Sequence, residues 1–148
     1  MAEYIYNPIQ ALAPGASVIF DGSLPCTRGN VYHRDGSSIF TLKAKTNQQN
    51  FARFQVTFNG NIAVPAGGTA APIAIALAID GEPILTSRAI VSPTVADRYF
   101  NVTSTAIIDV PKCCCTTLTV TNVSAANDGT APSPINVQNA NITINRIA

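Results

Sequence analysis

The chain has no tryptophan, one histidine and very little charge, and each shortage removes a class of function. Without an indole there is no broad ring to stack on a sugar, which weighs against recognition of a glycan by its loops. With His33 as the sole imidazole, a metal site could draw on one histidine only, and the cysteines do not have the spacing of a zinc finger. His33-Arg34-Asp35-Gly36 reads as a surface turn. A Cys–His nucleophilic pair needs an orienting group and an oxyanion site as well, and no motif marks either. Charged residues make up 11% of the chain, the net charge is +1 and there is no basic cluster, so nucleic-acid binding has no electrostatic footprint. The longest apolar run, Ile73 to Ile79, stops at Asp80 well short of a membrane span. Pro65-Ala66-Gly67-Gly68 lacks the Lys-Ser/Thr ending of a phosphate loop. The carboxylates Asp80, Glu82, Asp97 and Asp109 read as solvated strand ends. No cofactor, metal or catalytic set is expected.

What is present is a strand-forming pattern in a chain of 148 residues, enough for one domain with a substantial core. Hydrophobic residues account for 47%, so the surface must be built mainly from Asn, Thr, Ser, Gln and Ala, a composition suited to life in an assembly. The pattern is clearest from Phe51 to Glu82. Phe54, Val56 and Phe58 alternate with Arg53, Gln55 and Thr57, which gives one apolar and one polar face. Asn59-Gly60 is expected to bend the chain before Ile62 and Val64 resume the series, and Pro65, Gly67 and Gly68 to break it. In the next strand Ile73, Ile75, Leu77 and Ile79 form one face and Ala74, Ala76 and Ala78 the other, so both should be covered. The small alanine face permits close approach of another sheet or another subunit. Asp80-Gly81 is a hairpin signal.

Further strands are expected over Ser17–Phe20, Ser38–Ala44, Tyr99–Val110, Thr116–Val123 and Ile135–Ile147, with turn residues between them and no helical period anywhere. Phe100, Val102, Ala106, Ile108 and Val110 should share one face. Tyr4, Ile5, Tyr6 and Ile9 are too apolar for a free tail. Residues 1–16 are therefore expected to be an N-terminal arm that docks on a neighbour, and residues 17–148 the folded domain. Many short strands separated by turns mean a sandwich or a barrel.

The strand order, the stretch FNGNIAVPAGG…AIALAIDGE and the ending VQNANITINRIA resemble the jelly-roll domain of the tumour necrosis factor and complement globular-head superfamily, in its bacterial and phage branch. The resemblance spans Ser17 to Ala148 and rests on structural motifs. It implies an antiparallel jelly-roll β-sandwich of about ten strands that forms a homotrimer. It brings over no receptor, calcium or ligand residues. The chain departs from the family in having no Gly-X-Y stalk and in carrying a cysteine run that the animal members lack.

That run, Cys113-Cys114-Cys115, and the distant Cys26 leave three readings open: reduced thiols, a disulfide from Cys26 to one of the three, or a zinc site. On a strand Cys113 and Cys115 would share one side. Asn101-Val-Thr, Asn122-Val-Ser and Asn141-Ile-Thr match the glycosylation pattern, as Asn- and Thr-rich strands do by chance. MAEYIYNP has neither the basic head nor the apolar core of a secretory signal, so synthesis in the cytoplasm and release by lysis or on a particle are expected. The functional expectation is a non-enzymatic structural protein, a homotrimer that coats or decorates a larger particle. A phage virion surface is the first choice, with the arm contacting a capsid protein. A spore- or cell-surface appendage subunit cross-linked through cysteines, and a glycan-binding module, are the alternatives.

Overall fold

Alternating apolar and polar side chains resolve into two antiparallel sheets packed face to face. The computed structural model describes residues 1–24, 29–45, 50–124 and 133–148. In chain order the strands are β1 (Ala2–Tyr6), β2 (Gln10–Leu12), β3 (Gly22–Leu24), β4 (Val31–His33), β5 (Phe40–Lys43), β6 (Phe51–Ala63), β7 (Ile73–Ile79), β8 (Glu82–Pro83), β9 (Ala89–Val91), β10 (Phe100–Pro111), β11 (Cys115–Asn122) and β12 (Ile135–Arg146). One 3-10 turn, Leu85–Ser87, lies between β8 and β9. The first sheet has the order β10-β6-β12-β1-β3, with β2 also on β12. The second has the order β4-β5-β11-β7-β8, with β9 also on β7. From β5 onward the chain wraps from one sheet to the other: β6, β10 and β12 fall in the first, β7 to β9 and β11 in the second. This is the jelly-roll sandwich. The described residues hold twelve strands rather than ten, because β2, β3, β4, β8 and β9 are short pieces two or three residues long.

The core fills the space between the inner faces. Phe20, Phe40, Phe54 and Phe58 are fully buried, with Leu42, Ile62, Ile75, Leu77, Leu118 and Ile142 around them. Burying a side chain of this size stabilises the fold by roughly 1.5–3 kcal/mol. Val102, Ile108 and Val110 of β10 point inward as the period of two requires, and Phe100 and Ala106 are half-buried on the same face. The hairpin at Asp80-Gly81 is present. Both residues have positive φ, 49° and 87°, as a two-residue type I′ connection demands, and Ile79 pairs with Glu82.

Three expectations are corrected. First, the N-terminal residues are not an arm. β1 lies inside the first sheet, between β12 and β3, with Ala2 opposite Ile144 and Tyr4 opposite both Ile142 and Ser23. Ala2 and Tyr4 belong to the core, Tyr6 packs against it, and Ile5 and Ile9 alone of the four proposed docking residues stay exposed. The reason is pairing: the strand next to it comes from the far end of the chain, and local sequence carries no trace of that. Second, Asn59-Gly60 does not bend the chain, because β6 runs unbroken through it. Gly60 occupies an inward position where a Cβ would come within 2.8 Å of the Phe58 ring. The glycine makes room for a neighbouring side chain and turns nothing. Third, the alanine face of β7 offers no subunit contact. Ala74, Ala76 and Ala78 are at most 2% exposed within the single chain. Ile90, Thr121 and Thr119 stand directly opposite them on the flanking strands, and Val123 packs with Ala74 and Ala76.

Candidate functional site

The outer face of the first sheet is built almost wholly from amides and hydroxyls. Its side chains come from odd-numbered positions of β6 and β10 and from the outward positions of β12. The pairing register sets them in rows: Asn101, Asn61 and Gln138; Thr103, Asn59 and Asn141; Thr105, Thr57 and Thr143; Ile107, Gln55 and Asn145. Strands about 4.8 Å apart bring such neighbours into hydrogen-bond range. Asn101 donates to Asn59 and to Asn61, each at 3.0 Å. Asn59 donates to Thr103 at 3.1 Å. Thr57 and Thr105 meet at 3.3 Å, and Asn141 donates to Glu3 of β1. The polar periodicity is visible in the sequence, but the rows need the register.

One ion pair closes this face at its end. Arg53 and Asp109 form two parallel bonds, Nε to Oδ1 at 2.7 Å and a terminal guanidinium nitrogen to Oδ2 at 2.8 Å. The Arg53 hydrogen bond holds the Asp109 carboxyl below its usual range, and the same bond raises the guanidinium. Both side chains are over 40% exposed, so water and salt screen the pair. The guanidinium also lies over the Phe51 ring, 5.1 Å from its centroid. Beside the pair, Ile107 is 62% exposed on β10. β10 is the longest strand at a sheet edge among the described residues and pairs with β6 alone.

The cysteine run sits at the turn from β10 to β11. Cys114 closes it by donating to Pro111 O at 3.1 Å, and Cys113 has φ 62°. Strand alternation therefore does not govern the run. Only Cys115 belongs to a strand, and all three thiols are free and exposed. Cys115 stands opposite Lys43 in the β11–β5 register. Cys26, the other half of the expected disulfide, lies outside the described residues. Among the described residues no three His, Cys, Asp or Glu side chains converge to hold a metal.

His33 is more deeply engaged than a turn residue. It ends β4, stacks on Phe40 at 4.2 Å and meets Tyr4 edge-on at 4.9 Å. Its Nδ1 lies 3.0 Å from Ile39 O and its Nε2 3.0 Å from Phe20 O, so the ring ties the β4–β5 turn to the segment before β3. Asn122 is 1% exposed. Its amide nitrogen donates to Leu12 O and Ser133 O, at 3.2 and 3.0 Å, and its oxygen accepts from Ser124 N. The glycosylation match at Asn122 is therefore a structural clamp. A buried asparagine read from sequence alone looks like any other loop-end polar residue, so no local signal marks it.

No protein-family model and no curated protein matches the chain. Among solved structures it is similar to the globular domain of the zebrafish complement 1qA protein, with TM-score 0.55 at 10% identity over 96% of this chain and 94% of that one. The PRD1 vertex protein P5 aligns over 99% of this chain and 96% of that one, at 12% identity, with TM-score 0.47, below the level at which a shared fold can be argued. The first likeness shows the fold, a jelly-roll sandwich like that of the complement globular domain.

Proposed function

We propose that the chain is a non-catalytic structural module that self-associates as a homotrimer and coats a larger particle, with a phage virion as the first candidate. The observation that carries this reading is the outer face of the first sheet. It is broad, ordered by its own hydrogen bonds, and nearly free of net charge, since Arg53 and Asp109 neutralise one another. Two copies of such a face do not repel, and the exposed Ile107 and Phe51 beside it add apolar area. The alanine face is covered within the chain, and Tyr4 and Tyr6 pack into the sandwich, so these residues do not support assembly. Contact with the particle falls instead to the exposed Ile5, Ile9, Ile19 and Ile39. Their segments are held together by the bonds between Gln10 and Ile19 and by the Phe20–Ser37 bridge. Light scattering on purified protein at micromolar concentration tests the oligomer: about three chains per particle is the expected result, and a monomer counts against it. Ile107→Glu should lower the mass to that of one chain while leaving the fold intact.

The same rows of amides and hydroxyls favour one second reading, a module that binds a neutral glycan by hydrogen bonds. A glycan array decides between them. Binding by the monomeric Ile107→Glu protein, lost on Asn59→Ala, would support the second reading.

A further inference from the structure

The coat role leaves the three thiols of the β10–β11 turn without a task. They are exposed, and together with Lys43, Ala44 and Lys45 they line a shallow hollow of about 270 Å³. Lys112 precedes them directly in the turn. Among the described residues the one ion pair is Arg53 with Asp109, so none of these lysines is neutralised by a carboxylate there. Lys43 also lies over the Tyr32 ring. Asp80, which is tied to the next residues of β11, is committed to the backbone and hydroxyl of Thr117.

We propose that the Cys113-Cys114-Cys115 turn is a capture site for small anionic disulfides, of which glutathione disulfide is the working example, and that one thiol becomes reversibly capped there. The exposed thiols are open to a disulfide in solution, and the lysines around them raise the local concentration of an anionic one. The three lysines also select the occupant. A second copy of the chain would bring the same positive charges against its own, whereas a low-molecular-weight disulfide bearing carboxylates is drawn in. The hollow suits half of such a molecule better than a protein segment. In the exchange, a cysteine gives its proton to solvent and the thiolate attacks one sulfur of the disulfide. A protein–glutathione S–S bond forms as the original S–S bond breaks. The second glutathione leaves as a thiolate and takes a proton from solvent. The cysteine is oxidised, one glutathione is reduced, and a dithiol reverses the step. The proposal does not depend on the oligomer.

The test follows the peptide containing residues 113–115 by mass spectrometry while the full chain reacts with glutathione disulfide or with neutral hydroxyethyl disulfide. The glutathione reaction should slow roughly threefold or more between about 0.05 and 1 M salt, and the neutral reaction should not. The double variant Lys43→Gln, Lys45→Gln and the separate variant Lys112→Gln should each slow the glutathione reaction selectively. The salt series needs no substitution and stands even if a variant misfolds. Equal salt dependence for the two reagents would overturn the proposal. So would an adduct absent from this peptide, or chain-to-chain disulfides as the main product.

Discussion

Gly60 and Asn122 show how much a single position can hide. Gly60 reads as half of a turn signal, but the structure uses its missing side chain as space for the Phe58 ring. Gly60→Ala is expected to destabilise the fold by about 1–3 kcal/mol through overpacking, read as a lowered Tm, and Phe58→Leu should recover part of that loss. Asn122→Ala removes the donor to the Leu12 and Ser133 carbonyls and the acceptor of the Ser124 amide, and is expected to cost about 2–4 kcal/mol in denaturant titration. Asp109 offers a pH test. Its carboxyl is depressed in the folded state, so its contribution is present above the unfolded value and is lost as pH falls through the folded one. The stability gap between the parent chain and Asp109→Asn should therefore close on acidification; a gap that persists at the acid end would deny the pair any role. The inward residues of β6 and β10 are legible in the sequence because a period of two needs no partner. The occupants of special positions are not, because their reasons lie across the sheet.

At the scale of elements, legibility depends on how far apart the paired strands lie. β7 and its Asp80-Gly81 hairpin are readable from adjacent residues, and Asp80 also accepts from Thr117 N at 2.8 Å and Thr117 Oγ1 at 3.0 Å. Asp80→Ala should loosen both the left-handed turn and that tie, seen as a lowered Tm. Asp80→Asn should keep most of the stability, because asparagine tolerates positive φ. β1 is unreadable for the opposite reason. Ala-Glu-Tyr-Ile-Tyr has the alternation of a strand, but its partner, β12, begins more than a hundred residues later. Removing residues 1–6 should thus cost the sandwich its cooperative unfolding transition rather than detach an accessory. A truncated protein with the parent's melting curve would put β1 back outside the fold.

For the whole molecule, sequence and structure agree on the architecture, an antiparallel two-sheet sandwich. Jelly-roll wrapping makes most pairings non-local, so refolding is expected on the millisecond-to-second scale or slower in stopped-flow measurements. The placement of β1 between β12 and β3 has a consequence on the ribosome. At roughly 5–20 residues per second, β12 leaves the exit tunnel about 7–30 s after β1. Throughout that interval the first strand has its partner β3 on one side and an open edge on the other. A nascent chain cannot complete its first sheet in order of synthesis, and crowded polysomes place many such waiting edges side by side. Slowed translation ahead of β12 should therefore raise the yield of strand-exchanged aggregates, and the arrival of β12 is what closes the sheet.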